Sequence, residues 1–207
     1  MSDIDDLLPE VLLHAPNCAD VVAYRYLREA ARELCQRSRA WRVTETLLVT
    51  TPESQAIIAT EDASIFEIAN AFLDEFELTP VTPAWLDSEY PGWHDSYADT
   101  GPARFITQIA PNTVTIVPKV TGTLKMRLVL EPSRTAMTVP DFIVEQYATE
   151  IGKGAAGRVL MLPSNTVGNP NYGTKLLAEF EDLLDTVAVQ ATKGQQGARL
   201  RSKGAYF

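Results

Sequence analysis

The hydrophobic period of this chain changes twice, and no other feature narrows the possible folds as much. From Val21 to Arg37 the apolar residues Ala23, Leu27, Ala30 and Leu34 recur at spacings of four, three and four, the stripe of an amphipathic helix. Between Trp41 and Pro132 the stripe gives way to short, β-branched, partly alternating runs. Beyond Pro140 helical spacing returns. The order helix, strands, helices predicts an α+β fold. The N- and C-terminal helices form an antiparallel bundle, and the β-rich part is an insertion between them. The expected division is 1–40 for the N-terminal helical segment, 41–132 for the β-rich domain, 133–192 for the C-terminal helices and 193–207 for an extended arm.

The β-rich part reads as a sandwich or small barrel of antiparallel strands. Arg42 to Thr50, Gln55 to Thr60 and Ile65 to Phe72 are separated by Asp, Glu, Pro and Ser. Arg104 to Gln108, Thr113 to Pro118 and Thr123 to Leu130 follow, the last two around the turn Thr121-Gly122. Between the groups, Thr82 to Asp87 predicts a short helix that leads into the aromatic loop Tyr90-Pro91-Gly92-Trp93-His94. After Pro140, the stripe Phe142, Tyr147, Ile151, Ala155 and Val159 predicts one helix, and Leu176, Phe180, Leu183 and Val187 predict another beginning at Pro170. Leu27, Leu34, Phe142, Ile151, Phe180 and Leu183 are expected to be buried together. Gly152, Gly154, Ala155, Ala156 and Gly157 leave one helix face smooth. Glycine costs a helix about 1 kcal/mol relative to alanine, so a close neighbour is the expected compensation.

Charge divides the chain a second way. Residues 1–192 hold 14 of the 18 Lys and Arg and all 27 Asp and Glu, a balance of −13, while Lys193, Arg199, Arg201 and Lys203 give the remainder +4. An acidic body argues against wrapping nucleic acid, which needs a cationic surface. Two readings of residues 193–207 stand: a solvated terminus, or an arm for an acidic partner anchored by Tyr206 and Phe207. No apolar run is long enough to span a bilayer, and Met1 to Asp6 is acidic where a secretory leader is basic, so the expectation is a protein made and used in the cytosol. Like charge among copies also predicts a monomer or weak oligomer in isolation.

Catalytic patterns are sparse. Cys18 and Cys35 read as two buried small hydrophobes, too few for a disulfide framework, and His14 and His94 lack zinc-ligand spacing. His14, beside Val11-Leu12-Leu13, reads as a structural histidine. His94, with Asp95, Ser96 and Asp99 nearby, is the candidate for a hydrolase, but no Gly-x-Ser-x-Gly turn accompanies it. Gly152-Lys153-Gly154 lacks the full phosphate-loop pattern and lies inside a predicted helix. Arg25, Arg28, Glu29, Arg32, Glu33 and Gln36 read as ordinary surface charge on the first helix. Neither cofactor nor metal is expected, and the chain is expected not to be an enzyme.

Several segments together carry a resemblance. They are Leu8-Pro9-Glu10-Val11-Leu12 with Ala15-Pro16-Asn17-Cys18, and Leu27 to Cys35 running into Arg39-Ala40-Trp41-Arg42. Pro83 to Asp87 with Pro91-Gly92-Trp93, Arg104 to Gln108, Pro111 to Val114, Leu130 to Ser133 and Lys193 to Gln196 complete the set. In these the chain resembles, over essentially its whole length, the head-to-tail adaptor (connector) proteins of tailed bacteriophages, especially the podovirus-type tail adaptor beneath the portal.

The resemblance implies a structural virion protein at the head–tail junction, assembled in the host cytoplasm. Copies would form a ring matched to the portal, expected to be a dodecamer, that extends the DNA channel. DNA would only pass through, tail or nozzle proteins would dock below, and no membrane would be involved. It implies that the C-terminal segment reaches the portal, which makes Arg199, Arg201, Lys203, Tyr206 and Phe207 the docking arm. It also implies that the β-rich part meets the next tail component, with Trp85, Tyr90, Trp93 and His94 as the candidate contact loop. The alternatives are another head–tail joining protein, such as a completion factor or tail terminator, a hydrolase using His94, and a bacterial scaffold protein unrelated to phage.

Overall fold

The computed structural model describes residues 1–51, 53–95, 101–163 and 168–193. In chain order the elements are β1 (Ser2–Asp3), a 3-10 turn (Ile4–Leu7), α1 (Leu8–His14), α2 (Asp20–Ser38), β2 (Arg42–Val49), β3 (Gln55–Ala56), β4 (Ala63–Leu73), β5 (Phe76–Glu77), β6 (Thr79–Pro80), α3 (Pro83–Glu89), β7 (Phe105–Thr107), β8 (Thr113–Val117), β9 (Gly122–Pro132), β10 (Thr138–Val139), α4 (Asp141–Leu160) and α5 (Pro170–Lys193). The class is mixed α+β, as the change of period predicts. The described residues form two compact units: Met1–Trp41, Glu61–Ser64 and the residues from Leu130 on make one, and Arg42–Thr60 with Ile65–Val129 make the other.

The first unit is helical. α4 packs on α1, α2 and α5, and α2 also packs on α5. The predicted stripe of α2, Ala23, Leu27, Ala30 and Leu34, is buried. The smooth face of α4 is where its neighbours approach most closely. A Cβ on Gly152 would lie 2.3 Å from Glu10 Cβ, one on Gly154 would meet the Phe180 ring at 2.8 Å, and one on Gly157 would meet Leu177 Cγ at 2.8 Å. These contacts offset the glycine cost by letting whole side chains settle against bare backbone. Lys153 Nζ reaches Glu179 Oε2 at 2.9 Å along the same seam.

Two positions of the expected core are corrected. Ile143 and Leu184 are fully buried, whereas Phe142 and Leu183 are half-buried. Tyr147 is half-buried as well. Leu183 and Leu184 are adjacent leucines at three and four residues from Phe180, and both spacings fit a 3.6-residue period, so periodicity cannot choose between them.

Asp62 ties the returning chain to this unit. It adopts φ 60°. Its Oδ2 accepts hydrogen bonds from Thr138 N at 3.0 Å and from Thr138 Oγ1 at 2.8 Å, and its carbonyl accepts one from Ser133 N at 2.7 Å. The Thr138 hydroxyl is the main influence holding the Asp62 carboxyl below its ordinary range; desolvation opposes it, and the Thr138 and Met137 N–H groups and Arg28 add to the lowering. A carboxyl depressed in the fold contributes stability above its unfolded pKa and loses it as pH falls through the folded value. Asp62→Asn keeps an acceptor oxygen and tolerates positive φ but lacks the charge that strengthens these bonds, so it should lower the neutral unfolding midpoint modestly and flatten its fall toward acid below about pH 4. Parallel melts of the two proteins from neutral to acid pH check this; coincident acid limbs would remove Asp62 from the account.

The second unit holds two open four-stranded sheets, in the orders β2-β9-β4-β5 and β3-β8-β7-β6. β2 pairs antiparallel with β9 from Arg42↔Val129 to Val49↔Gly122. Alternation puts Leu124, Met126 and Leu128 of β9 inside and Thr123, Lys125 and Arg127 outside. Neither sheet closes into a barrel among the described residues, which corrects the barrel expectation. Closure requires the two edge strands to pair, and β3, β5 and β6 are two residues long each. The run expected from Gln55 to Thr60 is a strand only at Gln55–Ala56. β6 pairs parallel with β7, against the antiparallel expectation. Parallel neighbours need a long crossover, and the α3 segment between them supplies it.

Candidate functional site

Local sequence builds the aromatic loop of the second unit. Thr82 starts α3, its Oγ1 accepting from Trp85 N at 3.2 Å, with Pro83 in the first turn. Gly92, at φ 94°, turns the chain after α3. The turn carries Trp93 inward, where it is 6% exposed and packs with Leu86 and Val117, and Val81, Tyr90 and Phe105 close around that cluster. Tyr90 and Phe105 have ring centroids 5.1 Å apart, and Trp85 stands edge-on to Phe105 at 5.2 Å. Trp85 keeps 39% of its surface exposed.

His94 lies at the rim. Its ring is 3.8 Å from that of Trp93, and its Nε2 is 3.5 Å from Asp87 Oδ1. The same oxygen accepts a hydrogen bond from Trp93 Nε1 at 2.8 Å, so Asp87 satisfies a largely buried indole as well as flanking the imidazole. Lys119 Nζ donates to the His94 carbonyl at 2.5 Å. The hydroxyl of Ser88, on the same helix, donates to Trp85 O at 2.9 Å and is engaged with backbone. Of the other members of the hydrolase candidate, Asp95 is exposed, and Ser96 and Asp99 lie outside the described residues. The arrangement therefore offers an anchored aromatic surface made by Trp85, Tyr90 and His94, with Trp93 as its internal support.

The residues of the arm, Arg199, Arg201, Lys203, Tyr206 and Phe207, also lie outside the described residues; α5 is described to Lys193. The remaining candidates have structural surroundings. His14 Nδ1 is 2.8 Å from Tyr172 Oη, tying α1 to α5. Cys18 and Cys35 are buried free thiols, and burial, with a smaller contribution from Glu131, pushes Cys35 up to about 12, far from the thiolate a reactive cysteine needs. Among the described residues no group of three or more His, Cys, Asp or Glu is placed to hold a metal ion, and no helix is long and apolar enough to cross a membrane.

The side chains that read as ordinary surface charge on α2 are gathered instead. Arg25, Arg28 and Arg32 of α2, Arg134 before β10 and Arg158 of α4 line one cleft of about 700 Å³ with Glu29, Glu33 and Gln36. The i, i+3, i+4 and i+7 spacing of Arg25, Arg28, Glu29 and Arg32 was the available sign of a common helix face. Arg134 and Arg158 come from far along the chain, and no local pattern connects them to it.

A family model described as SU10 adaptor protein matches residues 2–202. No curated protein matches the chain.

Proposed function

We propose a structural role in a phage virion for this chain, on the premise that it belongs to the SU10 adaptor protein family. The match over 2–202, nearly the whole sequence given, carries the proposal, because it covers both the helical and the β-rich unit. In this reading the protein is a head-to-tail adaptor. Copies form a ring under the portal, expected to be dodecameric, that extends the DNA channel and presents a docking surface to tail or nozzle proteins. The helical unit is the ring body and the β-rich unit is the tail-side part. Trp85, Tyr90 and His94 are its contact surface, supported from inside by Trp93. Cofactors play no part, and the working place is the head–tail junction of a particle assembled in the host cytoplasm.

Physical chemistry supports the reading at two points. A net charge of −9 suits a passage that DNA must slide through, since retention would need neutralised phosphates. Bare glycine surfaces on α4 give a tightly seamed, rigid helical body.

Residues 193–207 complete the reading as the portal-docking arm. Arg199, Arg201 and Lys203 steer the arm to carboxylates on the portal, and Tyr206 and Phe207 hold it. The test is to mix the chain with the portal encoded near it and examine the product by electron microscopy, with a version lacking 193–207 in parallel. The expected result is a symmetric ring on the portal for the full chain. The shortened chain should keep the melting temperature of the body and lose attachment. No ring with the full chain would refute the adaptor assignment, and full attachment of the shortened chain would refute the arm.

A further inference from the structure

We infer that the arginine cleft between α2 and α4 is a docking surface for carboxylates of a second copy of this chain, an inference that rests on the ring reading above. Each guanidinium carries five N–H donors in a fixed fork. Arg28 Nε donates to Ala136 O at 2.7 Å. Arg32 is held by Glu131, and Arg158 by Glu33 and by Gly154 O at 2.9 Å, with the Phe180 ring 5.5 Å beneath it. Three forks are thus fixed by partners that use only part of their donors. Such preorganised donors bind an anion without first having to be ordered. Arg25 has one exposed bond, to Glu29 Oε1 at 3.3 Å, and the exposed Arg134 makes no hydrogen bond or ion pair among the described residues.

Charge complementarity selects the occupant. The cleft sets five arginines against Glu29 and Glu33 in its wall and Glu131 behind Arg32, an excess of positive charge on a chain with 27 acidic and 18 basic residues overall. Copies of such a chain repel on average, so bringing them side by side calls for a local contact of opposite sign. A ring needs a heterologous contact, with one surface meeting a different surface of the next copy. The same unit carries exposed carboxylates that do not line the cleft, Asp6 and Asp182 among them. Glu29 and Glu33 in the wall oppose a continuous phosphate backbone more than separate carboxylates, which can seat between them.

The test compares the unaltered chain with Arg25→Glu/Arg134→Glu, which reverses two exposed charges. The variant should keep its unfolding midpoint. Its filling of the ring on the portal, read by native mass spectrometry, should need roughly tenfold more protein or fail. In Arg134→Lys, carbodiimide treatment of the assembled complex should couple the introduced amine to a carboxylate of a neighbouring copy, identified by peptide mapping. Coupling of that amine to the portal, or no coupling between copies in a complete ring, overturns the inference. So does ring filling by the charge-reversed variant at the concentration the unaltered chain requires. Binding of duplex DNA that disappears with Arg25→Glu/Arg134→Glu would make the cleft a phosphate site and overturn it too. Absence of any ring with the unaltered chain would show that the adaptor reading has failed first.

Discussion

Replacing Phe180 by alanine should cost about 3–5 kcal/mol of unfolding free energy, the usual range for emptying a buried aromatic site. Phe180 is 1% exposed, and its ring faces the bare backbone at Gly154, where a Cβ would stand 2.8–3.0 Å from three ring carbons. On its other neighbour, the Arg158 guanidinium lies 5.5 Å from the ring centroid. Ring and glycine are thus one fitted pair, and the second half of the prediction concerns their coupling. Gly154→Ala alone should destabilise: pressing a methyl into an occupied space costs about 1–3 kcal/mol, against a gain in helix propensity of up to about 1 kcal/mol. Once Phe180→Ala has removed the ring, the same methyl enters free space and only the gain remains. Gly154→Ala should therefore destabilise the original protein and stabilise the Phe180→Ala variant, a reversal that denaturant titration of the four proteins in the cycle can resolve. An effect of the same sign in both backgrounds would mean that the glycine is not there to admit the ring.

That pair also illustrates what could be read before the structure. Phe180 stood out on spacing, and the Gly/Ala face of α4 announced a close neighbour. Their meeting depends on two helices separated by a loop, which no local pattern encodes. The α2 stripe was legible because it buries one side, whereas α4 buries residues almost all round from Ile151 to Leu160, which weakens its stripe. β9 was legible because eight residues pair in unbroken register with β2. The parallel β6–β7 pair involves two residues per strand, too few to show a period. In the aromatic loop, composition marked Trp85, Tyr90, Trp93 and His94 alike; that Trp93 turns inward follows from the turn at Gly92 and the acceptor at Asp87. The adaptor resemblance rested on scattered short segments, and the family match over 2–202 agrees with it.

Arg32→Ala should be the most damaging single change at the arginine cleft, costing about 3–5 kcal/mol. Glu131, near the end of β9 and within the helical unit, is only 5% exposed. Its carboxylate accepts a charge-assisted bond from Arg32 and one from Gln36 Nε2 at 2.5 Å, both from α2. Burial of a carboxylate is tolerable when an opposite charge and hydrogen bonds replace its water, and costly when the partner is deleted. The loss in Arg32→Ala is chiefly the cost of a stranded charge, with the lost attraction secondary. Glu131→Gln removes that charge while keeping an acceptor oxygen for Gln36. In that background Arg32→Ala should cost less than half of what it costs alone, since no buried charge is left unpaired. Among the described residues Arg25 is bonded only to the exposed Glu29, so Arg25→Ala should change stability by less than about 0.5 kcal/mol. Denaturant titrations of these variants separate the two roles of the cleft: Arg32 secures the β9 end to α2, whereas Arg25 remains available to a partner. Equal losses for Arg32→Ala with and without Glu131→Gln would show that the guanidinium stabilises the fold by packing alone.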